Sequence, residues 1–162
     1  MTSHTMEAAA ADNPGVIAMP LLLYLGVLLV AVAVQWLVPL RIFPTAAVAV
    51  TLGLALAVVA IAVARWGRRT MTAAGTNVRP TRPATTVVTS GPFRYSRNPL
   101  YVALTLLYVG LITAVNTWWG VVLVVPLLVT MHFGVVRREE RYLDRKFGDS
   151  YRAYRARVRR YV

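Results

Sequence analysis

Four apolar stretches break up the polar positions of this chain, at residues 16–38, 46–66, 100–115 and 118–136. A bilayer core about 30 Å thick takes about 20 apolar residues in a helix. The first, second and fourth stretches meet that length, and the third falls slightly short. Pro39 and Pro44 bracket a turn around Arg41. Ala49, Gly53 and Ala57 recur every fourth residue, which gives the second helix a smooth face for a close neighbour. Asn116 and Thr117 predict a tight turn, so the third and fourth helices are antiparallel neighbours. Trp118 and Trp119 suit a membrane interface, and Pro126 predicts a kink.

The polar positions fall into three groups. Residues 1–15 read as a weakly ordered tail. Residues 67–98 form a long connection punctuated by Gly75, Pro80, Pro83, Gly91 and Pro92, a length usual for functional or disordered loops. Beyond Arg137 the pattern is amphipathic. Leu143, Phe147, Tyr151, Tyr154, Val158 and Tyr161 fall on one helical face, and arginines fill the other. Gly148 interrupts this face, with Asp149 or Ser150 expected to cap a new helix. Such a segment either anchors on lipid with its aromatics buried or covers the cytoplasmic mouth of the bundle. The expected fold is all-α: an integral membrane bundle of four transmembrane helices with a C-terminal amphipathic interfacial helix. Its parts are the tail (1–15), two membrane helices (16–66) and a core of loop, hairpin and terminal helix (67–162).

Composition sharpens the reading. Hydrophobic residues make up 57% of the 162 positions, and the mean hydropathy of +0.57 places the chain in the membrane class. Eighteen Lys and Arg against six Asp and Glu leave a net charge of +12. These cations flank apolar runs, so the expected partner is an anionic membrane surface rather than nucleic acid. Seven arginines lie between Arg65 and Arg97, ten Lys or Arg between Arg137 and Arg160, and Arg41 alone in the turns at the other end. The positive-inside rule then puts both basic regions and both termini in the cytoplasm. The first fifteen residues carry no Lys or Arg and precede an apolar run too long for a secretory signal. Length and alanine content point to a prokaryotic plasma membrane. The absence of cysteine excludes thiolate chemistry and cysteine metal sites.

Chemistry is expected where the hairpin brings two polar clusters together. The start of the third helix and the end of the fourth lie at one depth, so Asn98 and Tyr101 come near Glu139. His132 reads as a packing residue within the fourth span. With His4 in the tail, no histidine or carboxylate spacing supports a metal. Glycine-rich nucleotide motifs and a Gly-x-Ser-x-Gly elbow are absent.

The run Val87-Val88-Thr89-Ser90-Gly91-Pro92-Phe93-Arg94-Tyr95-Ser96-Arg97-Asn98-Pro99-Leu100-Tyr101 resembles the signature of the isoprenylcysteine carboxyl methyltransferase family, a relative of the phospholipid N-methyltransferases. Glu139-Glu140-Arg141-Tyr142-Leu143 and Phe147-Gly148-Asp149-Ser150-Tyr151-Arg152-Ala153-Tyr154 fit the same pattern, which covers roughly residues 71–160. The resemblance implies an S-adenosylmethionine-dependent membrane methyltransferase acting on a lipophilic carboxylate, thiol, phenol or amine. It implies that Thr85, Thr86, Val87 and Val88 line one wall of the cofactor site and that Phe93 touches the cofactor. Asn98, Pro99, Leu100 and Tyr101 would hold it, and Glu139 would bind its polar end. Many relatives carry histidine at the position of Asn98, which cannot titrate. Arg137 and Arg138 are the expected substrate contacts. Val135 replaces an arginine that the isoprenylcysteine enzymes place four residues before the glutamate. No side chain is assigned as a catalytic base. An NADPH-dependent membrane reductase of related architecture and a non-catalytic membrane scaffold are the alternatives.

Overall fold

Prolines start two of the helices and small residues decide how closely they pack. The computed structural model describes residues 14–78 and 82–162. Helix α1 (Pro20–Leu37) and helix α3 (Pro99–Val115) both begin on a proline, whose missing N–H costs nothing at that position. Helix α2 runs Ala46–Ala73, past the expected end at Trp66. Arginine is a good helix former, so Arg65, Arg68 and Arg69 extend the helix into the polar region. The chain leaves the helix only at Ala74 and Gly75, the latter at φ 70°. A short 3-10 turn, Gly91–Arg94, precedes α3.

Helix α4 (Trp118–Met131) passes through a π turn, His132–Val136, into α5 (Arg137–Phe147). Helix α6 (Asp149–Arg157) then folds back. Gly148 makes the reversal at φ 51° and takes the cap position itself. Neither Asp149 nor Ser150 caps α6: the Ser150 hydroxyl donates back to Phe147 O, and Asp149 pairs with Arg152 at 3.1 Å. The left-handed turn needs the residue without a Cβ, and that leaves no place for a capping side chain. Among the described residues, three helices are long and apolar enough to cross a membrane: Pro20–Leu37, Ala46–Ala73 and Trp118–Phe147. The fourth apolar helix, α3, is shorter, at 17 residues.

The smooth face of α2 meets α3. A Cβ on Gly53 would stand 2.5 Å from Ala114 N and from Gly110 O, so the two backbones touch. The stripe extends beyond the expected positions, since Ala60 and Gly67 are buried as well. The Asn116–Thr117 turn forms, with Asn116 left-handed at φ 61°. Its side chain accepts from Ile42 N and Phe43 N and donates to Phe43 O, which fixes the turn between α1 and α2 to that end of the hairpin. Trp118 N donates to Leu40 O and Trp119 Nε1 to Val38 O. Tyr24, Tyr108, Ile112, Leu127, Met131 and Val135 form the buried apolar core among α1, α3 and α4.

The expected tail is only partly within the described residues, since residues 1–13 lie outside them, as does Pro80 of the long connection. Pro14 is buried, Gly15 O accepts from Arg138 Nη1 at 2.9 Å, and Ile17 N donates to Gly134 O. Residues 15–17 are thus tied to the π turn and the start of α5.

Candidate active site

The site forms where the long connection, the start of α3, α5 and the C-terminal segment close over one another. Tyr151 and Tyr154 of α6 are turned inward onto Val88 and Phe93, with Met71, Leu143 and Phe147 around them. Tyr154 donates to Phe93 O at 2.8 Å. The aromatic face predicted for the tail is therefore spent on the polar connection, as a cover.

Burial pushes the Tyr151 hydroxyl up to about 12 and raises that of Tyr154 further. A raised folded value means that the neutral hydroxyls stabilise the cover below the usual tyrosine value of about 10, and that this is lost as pH climbs through the folded values. Ultraviolet titration, with Tyr151→Phe and Tyr154→Phe to assign their signals, should show both of these tyrosines ionising late, together with detachment of α6. Ionisation of all accessible tyrosines near 10 with α6 still docked would contradict the packing.

A buried ion cluster fastens the C-terminus. Glu140, 8% exposed, accepts from Arg97 Nη2 at 2.8 Å and from Arg160 through Nε at 3.0 and 3.1 Å and Nη2 at 2.9 Å. The hydrogen bond to Glu140 raises the pKa of the Arg160 guanidinium still further. Backbone bonds complete the strap: Arg97 N donates to Arg159 O, and Asn98 Nδ2 to Arg160 O at 2.9 Å.

Beneath this strap lies a mixed polar and apolar hollow of about 80 Å³. Of the sequence-predicted residues, Thr86, Val87, Val88, Phe93, Asn98 and Glu139 line it. Thr85 is exposed and stands outside, bonded to Thr76 and to Gly75 O. Pro99 is buried as the first residue of α3, and Leu100 faces a different groove, against Gly67. Arg137 and Arg138 are both exposed and line none of these hollows; the first stacks over Phe133 and the second is held by Gly15. Sequence reasoning passed over Arg97, Tyr142 and Pro14, which also line the hollow. Arg97 sits inside the quoted motif but is given no role there. Its side chain is 8% exposed and its Nε has no partner among the described residues.

Tyr101 is the partition of the site. It does not itself line the polar hollow, but its hydroxyl donates at 2.7 Å to Oε2 of Glu139, which does. On the other side Tyr101 lines an apolar groove of about 560 Å³ between α1, α3 and α4. The expected approach of Tyr101 to Glu139 thus occurs, and Asn98 and Glu139 face one shared hollow. A carboxylate, a phenol and a buried guanidinium on the polar side, with a long apolar groove behind the phenol, suit a reaction between a polar partner and a lipophilic one.

The family model for phospholipid methyltransferases matches residues 48–150. The match starts near the beginning of α2 and ends in α6, so it includes Arg97, Asn98, Tyr101, Glu139 and Glu140. No curated protein and no solved structure matches the chain. With most of its length matched, including both sides of the hollow, this helical membrane protein belongs to the phospholipid methyltransferase family.

Proposed function

We propose that the protein transfers a methyl group from S-adenosylmethionine, bound in the polar hollow, to a lipophilic acceptor in the adjoining groove. The observation that carries this reading is the Tyr101–Glu139 hydrogen bond, which stands between a polar chamber and an apolar one. The donor set fits the cofactor. Glu139 offers a carboxylate to an ammonium group, and the unpartnered Nε of Arg97 offers a donor to a carboxylate. Val88, Phe93 and Leu143 supply apolar wall for a nucleoside.

S-adenosylmethionine, when bound, supplies a methyl group on a sulfonium that leaves as a neutral thioether. For an acceptor that is already anionic the side chains need only position and exclude water, effects worth several kcal/mol. Glu139 orients the polar end, and Tyr101 fixes the Glu139 carboxylate while presenting its ring to the groove. The strap keeps water out. The hollow is far smaller than the 300–1,000 Å³ of ordinary ligand sites. Entry of the nucleoside therefore requires the strap of α6 and residues 158–162 to swing outward.

Glu139→Ala and Tyr101→Phe test the hollow. A hydrogen bond to a charged group contributes about 1.5–3 kcal/mol, so S-adenosylmethionine affinity in nanodiscs should fall about tenfold to a hundredfold for Glu139→Ala and less for Tyr101→Phe. Calorimetry reads the affinity directly, and NADPH serves as the comparison ligand. Unchanged affinity in both variants, or binding of NADPH in place of the methyl donor, rejects the reading.

A further inference from the structure

The apolar groove holds one base. His132 and Tyr161 both line it, joined by a hydrogen bond of 2.9 Å between His132 Nδ1 and the Tyr161 hydroxyl. Among the described residues, no Lys, Arg, Asp or Glu lines the groove. Its other hydroxyls are already engaged. Tyr24 and Thr105 bond each other at 2.6 Å, Thr105 donates to Tyr101 O, and Tyr101 donates to Glu139. Among the described lining residues, the Nε2 lone pair of the imidazole is thus the basic atom left without a hydrogen bond.

Its position is fixed from both sides. His132 opens the π turn, a feature common at functional sites. His132 and Tyr101 each lie fifteen residues from the Asn116–Thr117 turn. At about 1.5 Å per residue both stand about 22 Å from it, at one depth of the groove. Tyr161 follows directly on the anchored pair Arg159–Arg160, whose carbonyls accept from Arg97 N and Asn98 Nδ2. The strap that covers the polar hollow therefore also holds the histidine ring.

We propose that the groove takes a neutral lipophilic acceptor carrying a phenolic hydroxyl, and that His132 Nε2 accepts the hydroxyl proton during methyl transfer. This rests on the methyltransferase reading above. The phenolic oxygen pair forms the bond to the methyl carbon. The methyl–sulfur bond breaks with its pair remaining on sulfur, and the O–H proton passes to Nε2 and then to water. The products are an aryl methyl ether, a thioether and a released proton. The required tautomer has Nδ1–H donating to the Tyr161 oxygen, which leaves the Nε2 lone pair for the acceptor.

The groove argues against charged acceptors. A zwitterionic phospholipid head would bring a phosphate to walls without a cation, and burying it unpaired is costly. The arginines nearest in kind, Arg68 and Arg82, line a separate groove. An ammonium would meet no carboxylate in the groove. A carboxylate acceptor would need no base, which would leave the imidazole without a task.

The test uses the full chain in nanodiscs with dodecylphenol, dodecylbenzene and phosphatidylethanolamine as probes. Without any methyl donor, His132→Phe should weaken dodecylphenol binding about tenfold and leave dodecylbenzene binding unchanged, because only the first ligand has a hydroxyl to donate. With labelled S-adenosylmethionine, His132→Asn should lose about a hundredfold or more in turnover. S-adenosylmethionine affinity should stay at the wild-type value, and added imidazole should restore part of the rate. Tyr161→Phe, which keeps the ring packing, should lose less. Full turnover in His132→Asn, equal weakening of both dodecyl ligands, or labelling of phosphatidylethanolamine in preference to the phenol overturns the proposal. Failure of the wild-type protein to bind S-adenosylmethionine would instead overturn the methyltransferase reading.

Discussion

Replacing Glu140 with alanine should release the C-terminal strap and cost about 3–5 kcal/mol of stability, the range for removing one partner of a buried ion pair. The loss arises from what is left behind. Arg97, with a side chain only 8% exposed, would keep a guanidinium without its carboxylate. Arg160, at 38%, can turn to water. The two arginines are therefore not equivalent, and Arg160→Ala should cost much less than Glu140→Ala. Hydrogen exchange should show residues 149–162 losing protection first, because α6 holds on otherwise through Tyr151, Tyr154 and a few backbone bonds. Methyl transfer should be lost with the strap, since the polar hollow and the Tyr161 contact to His132 both depend on it. Wild-type protection of α6 in Glu140→Ala would show that the ion cluster is dispensable and that the apolar cover holds by itself.

Gly53→Leu should prevent assembly of the bundle. The added side chain starts 2.5 Å from Ala114 N and Gly110 O, which are backbone atoms of a packed helix and have no rotamer to yield. Overpacking a core costs about 1–3 kcal/mol where side chains can move, and more is expected here because the helices themselves must separate. Gly26 supplies the control. It lies in α1 with nothing within 4 Å of an added Cβ, so Gly26→Ala should be neutral or gain up to about 1 kcal/mol from helix propensity. Thermal midpoints and the monodisperse fraction in detergent separate the two variants. A Gly53→Leu protein with the wild-type midpoint would mean that α2 and α3 are not packed backbone to backbone.

Much of the site was legible in the chain because depth in a helical hairpin follows from counting. Counting from the turn at Asn116 and Thr117 puts the start of α3 and the end of the following helix at the same end of the hairpin, where the Tyr101 side chain reaches Glu139. The Ala49–Gly53–Ala57 stripe likewise marked the face on which α2 meets α3. The substrate residues were less legible. Arg137 and Arg138 are close to Glu139 along the chain, yet on a helix successive residues point about 100° apart. Adjacency in sequence therefore carried them away from the hollow. His132 showed the reverse: alone in an apolar run it looked like packing, and its partner Tyr161 is distant in sequence.

The sequence by itself determined the apolar segments, the antiparallel hairpin and the smooth face of α2, because hydrophobic period, turn residues and side-chain size are local properties. Only the tertiary structure decided that Glu140 is the buried anchor of the C-terminus. The π turn at His132–Val136 shifts the helical register, so that Glu139 meets Tyr101 while Glu140 meets Arg97 and Arg160. It also decided that the C-terminus straps the site, because the carbonyls of Arg159 and Arg160 make key bonds. A backbone carbonyl is the same in every residue, so no pattern of side chains could have announced it.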